Sequence, residues 1–333
     1  MIPYLDVLDR ELRKGLSPFR EGFRRTHGEY AASRQQADGG FAGRLGDSDI
    51  YYTDFAVRVL SLLAPAHGAL DAARRHVERI QVPPGGSDVV ECFNLLHLRR
   101  NLCLGPPPGP AVEAILGTLR GRILPGGGLS GGRGPGCLSA YGTFLGLLCF
   151  QMLAIPLPGK SLLRNALEGL ACADGGYAEG SGQASGQVNA TAAAVAALVL
   201  LGALPSRRIP AIAGFLAGLQ MPDGGLAAHA SAGQGDLLST FTGLATLWFL
   251  KAAWRLDLAA AGRFLQQAAA EGGGFRASAE DREADVEYTF YGIGTAALLR
   301  RCADGAGPPG LLRAGTAAAI HAVLERLRAL LRS

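Results

Sequence analysis

Asp223-Gly224-Gly225-Leu226 opens a short glycine turn, followed by a polar linker, Asp236 and an apolar run from Leu237 to Leu250. The same order returns at Glu271-Gly272-Gly273-Gly274-Phe275, with Asp285 and a run to Leu299, and at Asp38-Gly39-Gly40-Phe41, with Asp49 and a run to Leu63. Further copies begin at Gly126-Gly127-Gly128-Leu129 and Asp174-Gly175-Gly176-Tyr177, and a shortened one at Gly85-Gly86 with Asp88. The glycine pairs recur every ~40–50 residues, the period of helical-repeat arrays. This chain is therefore built from six copies of one unit.

Each copy reads as a turn, a linker and two helices. The first helices, such as Thr191-Ala-Ala-Ala-Val-Ala-Ala-Leu, are apolar nearly all round, so they are buried on every side. The second helices, such as Asp71-Ala-Ala-Arg-Arg-His-Val-Glu-Arg, keep a charged face. Two concentric shells satisfy this difference. The predicted fold is all-α, an α/α toroid: a closed barrel of six helical hairpins with first helices inside and second helices outside. An open solenoid is the alternative, but its first helices should keep a wetter concave face. Residues 1–34 form a helical lead-in with Tyr4, Leu5, Leu8 and Leu12 at helical spacing. Residues 35–301 form the toroid. Residues 302–333 form a loop and an amphipathic helix over Ala314 to Leu331.

Composition narrows the functional classes. The chain of 333 residues is 48% hydrophobic with a net charge of +4, enough for a large core. No dense Lys/Arg run alternates with aromatics, so nucleic acid is not an expected partner. No apolar stretch reaches the ~18 residues of a membrane span. The N-terminus lacks the apolar core of a signal peptide. The six scattered cysteines read as buried free thiols. A cytoplasmic location is expected.

The phrases Gly-Gly-Phe…Tyr-Thr, Gly-Gly-Leu…Asp-Leu-Leu-Ser-Thr-Phe and Gly-Gly-Phe…Asp-Val-Glu-Tyr-Thr-Phe-Tyr-Gly-Ile-Gly resemble the β subunits of protein prenyltransferases. Type II (Rab) geranylgeranyltransferase β is the nearest type, and squalene and oxidosqualene cyclases share the toroid more distantly. The resemblance spans residues ~35–301, the whole repeat array. It implies an isoprenoid substrate or ligand in a central apolar cavity. Because catalytic relatives work with a helical-repeat α subunit, a protein of that kind is a candidate partner. The resemblance also implies a zinc site of Asp-x-Cys and a histidine, with a basic cluster for the diphosphate. Here those positions are Asp236-Leu237-Leu238 and Tyr288, and the diphosphate positions fall near Ala184 and His229. One zinc donor cannot hold the metal, which needs at least three from protein at a catalytic site. No metal or other cofactor is therefore expected.

The candidate catalytic residues are Asp236, Asp285, Glu287 and Tyr288. Paired carboxylates beside an apolar cavity can separate in pKa and supply an acid. Helix capping is the competing role for Asp236 and Asp285, as for Asp49 and Asp88. Tyr288 is expected to donate its hydroxyl to Asp236. Tyr51, Tyr52, Phe93, Tyr141, Phe241, Trp248 and Tyr291 fall on first helices and are candidates to face an isoprenoid or a carbocation. His229, in a basic position of the family, is a candidate anion contact. His27, His67, His76 and His321 read as surface residues. Glu91, on a buried helix, is expected to pair with His97, Arg99 or Arg100. The functional alternatives are a prenyltransferase-like enzyme without the zinc site, a cyclase that protonates an alkene, and a non-catalytic toroid that binds a lipid or a protein.

Overall fold

The structure is a computed structural model that describes residues 4–81, 88–131, 136–157 and 159–305. The Gly85-Gly86 turn, the helix expected over Ala314 to Leu331 and His321 lie outside the described residues. Two helices lead in, α1 (Tyr4–Leu16) and α2 (Glu21–Ser33). The inner helices are α3 (Ile50–Leu63), α5 (Val89–Asn101), α7 (Ala140–Met152), α9 (Val188–Leu200), α11 (Leu237–Phe249) and α13 (Val286–Ala303). The outer helices are α4 (Ala69–Arg79), α6 (Gly109–Arg122), α8 (Lys160–Glu168), α10 (Ile209–Gly218) and α12 (Leu258–Ala268). Each inner helix packs on the next, and α13 packs on α3, so the ring closes. The fold is an α/α toroid. Leu138–Ser139, immediately before α7, pairs antiparallel with Leu129–Ser130.

The repeat is held by one recurring set of hydrogen bonds. The aspartate before the helix caps it: Asp236 Oδ1 accepts from Ser239 N (2.7 Å) and Asp285 Oδ1 from Tyr288 N (2.8 Å). Each such bond satisfies a backbone donor that the helix leaves free. A threonine in the first turns reaches back to the glycine turn. Thr240 Oγ1 accepts from Leu226 N (2.9 Å) and Thr289 Oγ1 from Phe275 N (3.1 Å), and Thr53, Thr143 and Thr191 do the same in their copies. Neighbouring copies are stitched through the backbone. Val188 N donates to Ala228 O (2.9 Å), and Leu237 N donates to Ala277 O (2.8 Å).

The N-terminal helices complete the ring. Gly224 and Gly225 stand against Ala260 and Phe264 of α12, and Gly273 and Gly274 stand in the same way against Thr26 and Tyr30 of α2. Thus α2 takes the outer place of the sixth hairpin, although no glycine pair in residues 1–34 marks it. Helix α1 lies across the C-terminal ends of the inner helices. Its Arg13 donates to Ser61 O (2.8 Å), its Asp9 and Asp6 pair with Arg100, its Glu11 pairs with Arg301 (2.9 Å), and its Tyr4 ring stacks on Phe249 (5.1 Å).

His27 is not a surface residue. It is 1% exposed, stacks on Phe275, and its Nδ1 accepts from Gly274 N at 2.9 Å. Its partner lies far along the chain, so local sequence could not reveal the bond. Burial pushes its pKa down to about 3. The folded protein therefore keeps this imidazole neutral while the unfolded chain protonates it near pH 6.5. Below that pH the unfolded state binds the extra proton, so stability falls as pH falls toward 3. From about pH 7 to about pH 5 the loss should be about 2 kcal/mol. His27→Gln keeps an acceptor for Gly274, and urea denaturation should show that part of the slope gone. An unchanged slope would refute the assignment.

Glu91 also departs from expectation. Its Oε2 accepts from Asp88 N (3.0 Å) while Asp88 caps the helix, a reciprocal capping box at the half-exposed start of α5. His97 instead faces Asp54, with Nδ1 2.8 Å from Oδ1, and both side chains are 1% exposed. Of the six free cysteines four are buried, while Cys103 and Cys137 are exposed.

Candidate functional site

The ring encloses a cavity of about 400 Å³, within the range of small-molecule sites. All six inner helices line it, and Tyr4, Leu5 and Leu8 of α1 reach it at its covered end. The wall is aromatic. Phe55 meets Tyr291 at 5.4 Å between ring centroids, and Phe241 meets Phe290 at 5.5 Å and Tyr291 at 5.6 Å. Tyr51, Phe93 and Tyr141 also line it. Tyr52 and Trp248 do not. Tyr52 packs edge-on against Tyr51 (5.4 Å), and Trp248 packs against Phe249 (5.4 Å). His229 is exposed on a loop outside the cavity.

The four candidate catalytic residues separate by environment. Asp236 has both oxygens engaged by Ser239: Oδ1 by its N–H and Oδ2 by its hydroxyl (2.7 Å each). The hydroxyl expected from Tyr288 is thus supplied by Ser239, one turn away on the same helix. Burial raises the Asp236 pKa. Asp285 caps α13 with one oxygen and accepts from Arg44 Nε (3.0 Å) with the other. Arg44 also pairs with Asp281, and its guanidinium lies 5.9 Å from the Tyr288 ring centroid. Burial raises the Tyr288 pKa to about 12, with neighbouring carboxylates adding to the effect.

Glu287 lines the cavity. Its Oε1 accepts from the Tyr51 hydroxyl (2.7 Å) and the Tyr291 hydroxyl (3.3 Å). Its Oε2 has no hydrogen bond among the described residues. Burial raises its pKa against the opposing pull of the two phenols, and the nearby Asp285 adds to the rise. Two other carboxylates line the cavity, and both are committed: Asp54 to His97, and Glu179 to the Ser139 hydroxyl and Tyr141 N (3.3 Å).

Arg58 was not singled out by sequence. It lines the cavity from the middle of α3, with its guanidinium 3.6 Å from the Phe290 ring centroid. The available signal was Asp54 and Arg58, one turn apart in an otherwise uncharged helix, IYYTDFAVRVLSLL.

The zinc set that the resemblance implies does not fit these residues. Asp236 is occupied by Ser239, Leu238 is a hydrocarbon on the cavity wall, and Tyr288 brings a phenol held protonated. Among the described residues no three His, Cys, Asp or Glu side chains converge as a metal would require. No helix among them is long and apolar enough to cross a membrane.

Comparison with known proteins agrees with this architecture. No curated protein matches the sequence. Among solved structures, protein geranylgeranyltransferase-I of Candida albicans, complexed with GGPP, superposes with a TM-score of 0.66 at 12% identity, over 90% of this chain and 98% of that one. The type II terpene cyclase MstE of Scytonema superposes with a TM-score of 0.60 at 16% identity, over 88% and 98%. A variant of MstE in complex with geranylgeranyl dihydroxybenzoate gives 0.59 at 16% identity, over 90% and 99%. At these identities the likeness is one of fold. The profile of the prenyltransferase alpha-alpha toroid domain matches residues 11–91 and 141–324. This chain belongs to the prenyltransferase alpha-alpha toroid family.

Proposed function

We propose that the central cavity binds an isoprenoid chain, and that its chemistry is proton transfer from Glu287 to an alkene, as in a cyclase. The observation that carries this reading is Glu287 itself. It is the cavity-lining carboxylate with one oxygen fixed by two tyrosines and the other unengaged among the described residues. The aromatic wall suits both the apolar chain and a carbocation formed on it. The terpene cyclase among the similar folds, solved with a geranylgeranyl substrate, supports the same class.

The step is balanced within the site. Protonated Glu287 gives its proton to one alkene carbon, and the π electrons form the new C–H bond. The adjacent carbon becomes cationic and is attacked by the next double bond, while Glu287 is left as a carboxylate. Loss of a proton from the final cation ends the sequence and can restore the acid. Tyr51 and Tyr291 hold the carboxyl group in place and stabilise the charge that develops on it.

A zinc-independent prenyl transfer is the second reading, supported by the family match and by the GGPP complex among the similar folds. Incubation with geranylgeranyl substrates, followed by solvent extraction and mass spectrometry, separates the two. A cyclised isomer of unchanged mass supports proton-initiated cyclisation. Geranylgeranyl added to an acceptor supports transfer. Tight binding with neither product leaves a carrier and defeats both catalytic readings.

A further inference from the structure

Arg58 is a cavity charge that the fold leaves unanswered. Asp54 is met by His97, Glu179 by Ser139 and Glu287 by two tyrosines. The Nε of Arg58 is buried with no hydrogen-bond partner, and the side chain forms no ion pair among the described residues. What it has is stacking: its guanidinium carbon lies 3.6 Å from the Phe290 centroid and 5.2 Å from that of Phe55. Stacking on a ring offsets only part of the cost of taking a guanidinium out of water. It also fixes the plane of the group and leaves the in-plane N–H donors for a planar or tetrahedral anion.

Its depth matters. Arg58 lies seven residues along α3 from Tyr51, the partner of Glu287. That separation is about 10 Å of helix rise. Arg58 is also close enough to Tyr4 of α1 for its charge to oppose the rise that burial causes in the Tyr4 pKa. The Cα of Arg58 is therefore nearer than that of Glu287 to the end of the cavity that α1 covers.

We infer that the cavity's ligand carries an anionic group, a carboxylate or a phosphate, seated against Arg58. This rests on the isoprenoid reading and deepens it. The apolar chain runs from Arg58 along Phe55, Phe241 and Tyr291, so its far end is presented to Glu287. The ligand is thus an acidic amphiphile.

The test compares three probes on the full chain by isothermal titration calorimetry: geranylgeranoic acid, geranylgeranyl monophosphate and geranylgeraniol. At least one anion should bind about tenfold or more tightly than the alcohol. The acid-to-phosphate ratio identifies the head group. Arg58→Gln should remove that preference and leave the alcohol's affinity unchanged, while Arg58→Lys should retain part of it. Alcohol binding with no preference for either anion overturns this inference and leaves the isoprenoid reading standing. So does a preference that survives in Arg58→Gln. Failure of all three probes to bind overturns both.

Discussion

Glu287→Gln is expected to lower isoprenoid turnover by roughly 10²–10⁴-fold, the usual contribution of a positioned acid. Substrate affinity should change little. The amide keeps the size of the side chain, and its oxygen still accepts from the Tyr51 hydroxyl, now 2.7 Å from Oε1. What the amide lacks is a proton acidic enough to give to an alkene. The pH profile carries the sign. Burial raises the Glu287 pKa above the ordinary carboxylate value, so the acid form persists to higher pH than for an exposed glutamate. Turnover should be highest below that raised pKa and should fall as pH rises through it. Tyr51→Phe removes one donor to the carboxylate, raises the pKa further and should move the falling limb to higher pH. Wild-type turnover that survives in Glu287→Gln, or a profile that rises with pH, would defeat the acid role. Asp236→Asn is the comparison. Its carboxylate is engaged by Ser239, so the change should act on the stability of α11 rather than on the chemistry.

The repeat was legible because its parts are local. Gly-Gly, an aspartate and an apolar run fall within one stretch of chain, and their recurrence reveals both the unit and the number of units. Closure also follows from local chemistry, since helices apolar on every side need partners on every side. The threonine that reaches back to each turn was equally available, as in Leu226 and Thr240 or Phe275 and Thr289. The contributions of residues 1–34 were not legible. Helix α2 is the sixth outer helix through contacts with Gly273 and Gly274, at the opposite end of the chain, and amphipathicity alone does not say which surface a helix covers. His27 was misread for the same reason. Within the site, aromatic residues on inner helices were visible, but a helix apolar all round does not show which face meets the cavity. Tyr51, Phe93, Tyr141, Phe241 and Tyr291 line it, while Tyr52 and Trp248 pack elsewhere. Polar residues on such helices carry more information than aromatic ones, because each must be paired or used. Asp54 and Arg58 are the cases in point, one paired with His97 and the other with its buried Nε unpartnered.

Gly224→Val and Gly273→Val should each destabilise the protein by roughly 2–6 kcal/mol, combining backbone strain with overpacking. Both glycines hold positive φ, +96° and +94°, a region that β-branched residues rarely enter. The second cost is spatial. A Cβ on Gly224 would collide with the Ala260 carbonyl of α12, and one on Gly273 would lie 2.6 Å from the Thr26 carbonyl of α2. These are backbone atoms, so relief requires an outer helix to move away from its turn. Movement at Gly224 would also pull on Leu226, whose N–H is held by Thr240, and so on the start of α11. Gly214 of α10 supplies the contrast, with nothing within 4 Å of an added Cβ. Gly214→Ala should be neutral or stabilising by about 0.5–1 kcal/mol, because alanine is the better helix former. The Gly273 result bears on ring closure in particular. A loss comparable to that at Gly224 requires α2 to stand against the sixth turn as α12 stands against the fifth. If Gly273→Val denatured at the wild-type urea midpoint while Gly224→Val fell, α2 would not be the sixth outer helix. If both held the wild-type midpoint, the glycine turns would not be the packing points of the repeat.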